Sequence, residues 1–454
     1  MSNLANGAPA PPAVPFYKAG WFEWSLILGY LAVAIWLLAD CKVSPQAGQI
    51  FGTARMTDPG HLIGVAQHMV SAKSLAALPN SLVQVSGQAP PLVPTCLAAL
   101  MLISGKSTLA QLSPFIFWAN ITCLTGSIVF AYRLLTRWLP QPMPLAVSGL
   151  FALAPITLLE ACQLGLTLPF LALSSFALWL TEKRLTKGTA SSKWSLAGCM
   201  LWAVAAAYCH PVGIAVLLAC ITTVFIRQNK AAGFYCVLLS LACLSPVLVL
   251  YAWQLAHTTH GPFSQLQGLP PGSVKSFSDA LRHGHVWANH ALTATLSPAY
   301  AGRSSMGWLN GVHYADAAHS PWLQLSIAYE QATRWLLNAS GVRWALITFA
   351  TLGVFSKLRS NGASISLFLI LLLAGVMAFG LSQVVIDDYA LWPWLLAACM
   401  AGMLTVTQLL RKLKFPDLGL TPLWCLWGFI LLGHVLTYLD YGRYLMAYLA
   451  GPTK

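Results

Sequence analysis

The sequence predicts an all-α protein that crosses a membrane several times. Hydrophobic residues make up 57% of the 454-residue chain and charged residues only 8%, and the mean hydropathy is +0.67. A soluble domain carries roughly 25% charged residues. In a bilayer every backbone polar group must be satisfied within the protein, which favours helices in so apolar a chain. The predicted fold class is therefore a polytopic helical membrane protein.

The net charge of +13 results from 25 Lys and Arg against 12 Asp and Glu residues. Lysine and arginine anchor cytoplasmic loops beside anionic lipid, so the excess predicts contact with membrane lipids. Nucleic acid is not predicted as a partner. The 11 cysteines show no CxxC spacing, so neither a disulfide framework nor a zinc site is predicted.

Four regions follow from the distribution of apolar and polar residues. Residues 1–20 are predicted to form a disordered cytoplasmic tail. Residues 21–256 form a transmembrane core whose first external loop is 40–111. Residues 257–340 are a long polar segment on the external or periplasmic face, and residues 341–454 carry the C-terminal transmembrane helices.

A bilayer crossing needs roughly 20 apolar residues, and about eleven spans are predicted. The fifth and sixth are separated by a break at His210 and Pro211, where the proline opposes a continuous helix. The predicted spans are residues 21–39, 112–135, 144–159, 168–180, 195–208, the run after the break up to 226, 233–256, 342–355, 365–385, 391–410 and 422–439.

Residues 91–104 are apolar but too short to cross, and three prolines at 90, 91 and 94 oppose a straight helix. We predict a juxtamembrane or re-entrant helix here. With this segment left out of the count, every short basic loop falls on one side, as the positive-inside rule requires. That side, with the N-terminus, is predicted to be cytoplasmic. The basic residues concerned are Arg133, Arg137, Lys183, Arg184, Lys187, Lys193, Arg227, Lys230, Lys357, Arg359, Arg411, Lys412 and Lys414.

The external stretch 40–94 concentrates ionisable side chains in a chain that has few of them. Such side chains are costly beside a membrane unless they are solvated or paired, so a cluster indicates a functional site. Asp58 is the favoured catalytic residue, because acids are scarce here. Arg55, His61 and Lys73 lie in the same stretch.

A series of motifs resembles the GT-C superfamily of integral membrane glycosyltransferases, in particular the protein O-mannosyltransferases and the lipid A aminoarabinose transferase. The resemblance is good over about residues 20–250 and looser beyond. The motifs, in order, are Asp58 followed by the apolar run 61–70, Ala89-Pro90-Pro91-Leu92-Val93-Pro94, Tyr132-Arg133-Leu134-Leu135-Thr136-Arg137, Ala152-Leu153-Ala154-Pro155, Leu168-Pro169-Phe170-Leu171-Ala172-Leu173, Tyr208-Cys209-His210-Pro211-Val212-Gly213 and Asp388-Tyr389-Ala390-Leu391-Trp392-Pro393.

The resemblance implies transfer of a sugar from a polyprenyl-phosphate donor to a lipid, polysaccharide or protein acceptor of the cell envelope. It implies a bacterial inner membrane with a periplasmic active face. Asp58 would act as general base on the acceptor, and direct attack would invert the anomeric carbon. The phosphate calls for cationic or hydrogen-bonding partners. The candidates for the donor phosphate are Arg55, Lys73, Lys106 and His210, and those for the substrate cavity are His61, Arg282, Arg303, Asp387, Asp388 and Tyr389.

The chain departs from the family pattern where a second acid and two basic residues are expected. Thr167 and Leu168 stand where the family often has an acid, which leaves Glu160 as the second catalytic candidate. His210 replaces a basic residue before a proline, and Asp388 replaces an arginine. A histidine there could also simply cap the helix break.

Two other functions stay open at this point. A transporter or flippase of a lipid-linked saccharide would fit the same composition, although no internal repeat is visible. A catalytically silent partner in envelope assembly would fit the missing acid and arginine. His283, His285 and His290 have a spacing compatible with a metal, but histidine is common in loops, so no metal or other cofactor is predicted.

Overall fold

The computed structural model describes residues 16–38, 59–71, 90–186, 193–210, 212–257, 278–279, 281–282, 321–338, 340–358, 362–379, 391–415 and 418–450. Within these ranges the chain forms helices and turns and contains no strand, so the all-α prediction is confirmed for this part of the protein.

The helices are α1 (Phe16–Leu38), α2 (Pro59–Ser71), α3 (Leu92–Ser104), α4 (Leu109–Leu135), α5 (Met143–Leu153), α6 (Pro155–Ala161), α7 (Thr167–Thr186), α8 (Lys193–Cys209), α9 (Gly213–Arg227), α10 (Lys230–His257), α11 (Pro321–Asn338), α12 (Ser340–Lys357), α13 (Ala363–Phe379), α14 (Trp392–Lys412) and α15 (Thr421–Ala450).

Two of the described helices are long and apolar enough to cross a membrane, namely α4 and the stretch Pro393–Lys412 of α14. Shorter apolar helices of 10–17 residues accompany them, so the structure does not establish a count of about eleven spans. Large apolar side chains also remain exposed, such as Ile103 (85%) and Leu238 (66%). Such a surface is suited to lipid, and membrane insertion stays a prediction from the composition.

Prolines and glycines set several helix ends. Residues 144–159, predicted as one span, form two helices because Pro155 has no N–H and follows extended backbone at Ala154 (ψ 131°). Helix α3 ends at Gly105, whose left-handed conformation (φ +66°) lets its N–H bond to Met101 O at 2.9 Å. The predicted short helix in the first external loop is thus present, and its relation to a membrane remains a prediction.

Residues from four basic loops or their flanking helices meet at one end of the helix bundle. Glu182, near the end of α7, is fully buried and lies 3.6 Å from a guanidinium nitrogen of both Arg137 and Arg227. Its other oxygen accepts from the backbone N–H of Ser364 at the start of α13, at 2.8 Å. We call this group the Glu182 cluster. It joins the loop after α4, the end of α7, the end of α9 and the start of α13.

A close crossing of α12 and α14 and two hydrogen bonds from α15 to α5 hold the C-terminal helices in place. Helices α12 and α14 touch through their backbones, since a Cβ added at Gly402 would lie 1.8 Å from Phe349 O. Small residues permit such an approach between apolar helices. Helix α15 is bonded to α5 by Trp427 Nε1, which donates to Ala146 O at 3.0 Å, and by the Tyr438 hydroxyl, which donates to Leu153 O at 2.5 Å.

Candidate active site at the α6–α7 turn and the His210 break

Four of the predicted site residues have described side chains: Lys106, Glu160, His210 and Arg282. The backbone of His61 is described within α2. The others lie outside the described residues, and their roles stay predictions. They are Arg55, Asp58, Lys73, Arg303, Asp387, Asp388 and Tyr389.

A buried polar turn connects α6 to α7. The side-chain amide of Asn120, midway along α4, donates to Ala161 O at 3.1 Å and to Gln163 O at 2.5 Å. These carbonyls lie at and just beyond the end of α6, where a helix leaves its carbonyl groups without partners in the helix. Asn120 therefore caps α6 from a neighbouring helix and fixes the path of the turn.

Glu160 stands at the end of α6 and is only 7% exposed. Its carboxylate faces the turn, because a Cβ added at Gly165 would lie 3.5 Å from Glu160 Oε2. Gln163 in the same turn is 6% exposed, and its Nε2 has no hydrogen-bond partner in the described structure. The turn thus holds an acid and an amide donor in surroundings of low polarity, where their electrostatic interactions are strong.

His210 occupies the predicted break between α8 and α9 and is 6% exposed. Its Nδ1 accepts from the backbone N–H of Val212 at 3.3 Å, so the neutral ring carries its proton on Nε2. Burial lowers the pKa of His210 to about 4. The imidazole is therefore neutral at pH 7. It caps the break, and what it can offer a phosphate is a hydrogen bond from Nε2 rather than a positive charge.

The turn and the break are in contact. The rings of Phe170 and His210 lie 5.3 Å apart between centroids, and the Cys209 thiol approaches Leu166 O at 3.6 Å. Phe170 belongs to the first turns of α7, directly after the turn that holds Glu160. The structure thus brings the regions of Glu160 and His210 together, although Glu160 lies 50 residues before His210 in the chain.

The start of α3 reaches the same region. Helix α3 packs against α8, and Cys96 near the start of α3 lies in the neighbourhood of Cys123 of α4 and Cys209 of α8. The proline segment that precedes α3 therefore leads into this region. Helix α2 packs against α3, and Gln67 Nε2 in its last turns donates to Ser107 O, just beyond the end of α3, at 2.8 Å. This bond brings the C-terminal ends of α2 and α3 together.

Lys106 and Arg282 are not seen to join this region. The Lys106 ammonium lies 4.9 Å from the centroid of the Phe115 ring, a cation–π contact. Lys106 follows Cys96 by ten residues, or about 15 Å at 1.5 Å per helical residue. Arg282 is exposed and belongs to a described fragment of two residues, 281–282. In the part of the chain that the structure describes, no group of three or more His, Cys, Asp or Glu side chains could hold a metal ion.

Sequence reasoning missed Asn120, Gln163 and Phe170. A signal for Asn120 was present, since an amide in the middle of an apolar helix requires a partner. Which carbonyl groups it would reach depends on the path of a turn about 40 residues later, and periodicity does not encode that path. Gln163 carried no signal of its own.

Replacing Asn120 by alanine should lower the stability of the purified protein by about 1–3 kcal/mol, because two buried carbonyl groups lose their donor. Thermal melting in detergent would measure the loss. Thr122→Ala is the matched control, since the Thr122 hydroxyl donates to Trp118 O of its own helix. If Asn120→Ala melts within 1 °C of Thr122→Ala, the turn does not depend on this cap.

The fold is similar to that of solved structures. The chain is similar to the crystal structure of the Archaeoglobus fulgidus oligosaccharyltransferase in complex with Zn and sulfate, with 12% sequence identity and a TM-score of 0.43. The match covers 94% of this chain and 54% of that one, so the chain spans about half the length of that structure. No protein-family model and no curated protein matches.

Proposed function

We propose that this protein is an integral membrane glycosyltransferase that transfers a sugar from a polyprenyl-phosphate donor to an acceptor of the cell envelope. The sequence motifs suggest the reaction class, and we propose that the site of the reaction lies around the α6–α7 turn. The observation that carries most weight is that the Glu160 turn and the His210 break are in contact and that α3 packs against α8, although these segments are far apart in the chain. On the predicted topology they face the periplasm of a bacterial inner membrane.

Asp58 is proposed as the general base. It directly precedes Pro59, the first residue of α2, and α2 packs against α3. A carboxylate at this point would remove the proton from the acceptor as the acceptor attacks the anomeric carbon. The carbon–oxygen bond to the phosphate breaks as the new glycosidic bond forms, and the donor leaves as polyprenyl phosphate.

The buried turn supports the same proposal on the donor side. The His210 ring is neutral and carries a donor on Nε2, and Gln163 carries a buried amide donor. Hydrogen-bond donors held in place in a poorly solvated site stabilise a departing phosphate without large reorganisation. Glu160 is proposed as the second acid of the site. Arg55 and Lys73, in the stretch before and after α2, are proposed as the cations that the phosphate requires.

The test is release of polyprenyl phosphate by the full-length protein, reconstituted in vesicles with a panel of polyprenyl-phosphate sugars and an envelope lipid extract as acceptor. Asp58→Asn should lower the rate by about 10²–10⁴-fold, the usual contribution of a general base. Asp40→Asn, an acid near the start of the same external stretch, should retain activity. Full activity of Asp58→Asn would remove Asp58 from the site. Sugar-lipid movement across the vesicle without covalent product would favour a transporter instead.

A further inference from the structure

The Glu182 cluster carries more positive than negative charge. Two guanidinium groups share one carboxylate oxygen, each at 3.6 Å, and the side chains of Arg137 and Arg227 keep 19% and 18% of their surface exposed. One carboxylate neutralises one of the two cations. The cluster therefore keeps a formal charge of about +1 at a site that solvent or lipid can reach in part.

The count of hydrogen-bond donors points the same way. Two guanidinium groups carry about ten N–H donors, whereas a carboxylate offers about four acceptor positions. One of these positions already accepts from Ser364 N at 2.8 Å. The Glu182 carboxylate therefore cannot accept from all of the guanidinium donors that surround it.

The surroundings also favour an anion. Ser364 opens α13, and the first N–H groups of a helix together with its dipole attract negative charge. The Ser364 hydroxyl is fully buried and has no hydrogen-bond partner in the described structure. Burial lowers the pKa of Arg137, whereas Glu182 raises it and Arg227 lowers it. An added anion would oppose both lowering effects.

We propose that Arg137 and Arg227 bind a phosphate-bearing anion at the basic end of the bundle. The planar guanidinium fork matches two phosphate oxygens, and two such groups about one carboxylate form a site for one phosphate. Its source is either the headgroup of an acidic phospholipid or free phosphate. The site is separate from the candidate active site, since Asn120 and Arg137 are 17 residues apart on α4 and the loop after it, or about 25 Å. The proposal therefore does not depend on the proposed glycosyl transfer.

The experiment measures thermal melting of the full-length protein, delipidated in a neutral detergent, during titration with three separate probes. These are phosphatidylglycerol, phosphatidylcholine and inorganic phosphate. Phosphatidylglycerol should raise the melting temperature in a saturable manner, and phosphatidylcholine should not. Saturable stabilisation by inorganic phosphate alone would support the site with free phosphate as its ligand. No saturable stabilisation by phosphatidylglycerol or by inorganic phosphate, the two anionic probes, would overturn the proposal. Equal stabilisation by the zwitterionic phosphatidylcholine would overturn it as well.

Two lysine variants locate the site without removing its charge. Arg137→Lys and Arg227→Lys keep a cation beside Glu182 but lose the guanidinium fork, and each should weaken the apparent affinity about tenfold. Each shift is measured against the same variant without ligand, so a loss of basal stability does not affect the result. Arg133→Lys is the matched control, because the Arg133 guanidinium lies over the Trp24 ring at 4.8 Å. An equal loss of affinity in Arg133→Lys would overturn the assignment to the Glu182 cluster.

Discussion

Replacing Glu182 by glutamine should destabilise the protein by about 3–5 kcal/mol, the usual cost of removing one partner from a buried ion pair. The variant leaves two guanidinium groups close together without a counterion. It also replaces the charged acceptor of the Ser364 N–H by a neutral one. The contacts that join four segments of the bundle are thus weakened at once. Thermal melting in detergent, followed by size-exclusion chromatography, would measure the effect.

A double variant separates this electrostatic explanation from a simple loss of packing. Glu182→Gln raises the charge of the cluster from about +1 to about +2, and adding Arg227→Gln returns it to about +1, so part of the lost stability should return. The coupling energy between the two substitutions should lie within about 0.5–3 kcal/mol, as for residues in contact. Additive effects, or a Glu182→Gln variant as stable as the original protein, would show that the cluster contributes little.

The partners of Glu182 could not be predicted from the sequence. In the sequence it directly precedes Lys183 and Arg184, so it reads as part of a basic cytoplasmic loop. Its partners lie about 45 residues away on either side and, at Ser364, 182 residues away. A local pattern does not contain such distances. The net charge and the loop positions predicted a basic end of the bundle, but not the buried acid that orders it.

The positions of helices were easier to predict from the sequence than the contacts of Glu182, because helix ends depend on nearby residues. The apolar run 91–104, bounded by prolines and by Gly105, predicted a short helix, and the structure has α3 at Leu92–Ser104. The break at His210 was likewise predicted from Pro211 and lies between α8 and α9. The run 144–159 was predicted as one helix although it contains Pro155. The prediction followed the apolar composition of this run, whereas in the structure the helix ends before Pro155 and a new helix begins there.

The candidate site was predictable in part. The sequence identified Glu160 and His210 as members of one site, and the structure brings their regions into contact through Phe170 and Leu166. From the sequence, His210 was predicted to bind the donor phosphate, because it stands where the family has a basic residue. Burial and the bond from Val212 N keep the ring neutral, so its predicted role towards a phosphate would use a hydrogen bond and not a charge. Both effects arise from neighbours brought in by folding, and the residue type alone does not reveal them.

The second large effect is expected from Gly402→Ala, at the crossing of α12 and α14. The added methyl group would lie 1.8 Å from Phe349 O, and the facing position is equally tight, since a Cβ at Gly353 would lie 1.9 Å from Ala398 O. Backbone atoms do not move aside as a flexible side chain can, so the helices must separate along their contact. Overpacking commonly costs about 1–3 kcal/mol, and a clash with backbone should reach or exceed the upper end.

Gly428→Ala is the matched control, because this glycine also lies inside a helix, α15, and its added Cβ would have no neighbour within 4 Å. Alanine there should stabilise the protein by about 0.5–1 kcal/mol through helix propensity. The same chemical change thus has opposite expected signs at two helical glycines, and only the distance between helix backbones distinguishes them. If Gly402→Ala melts at or above the temperature of Gly428→Ala, α12 and α14 do not cross in backbone contact. The C-terminal helices would then need a different arrangement.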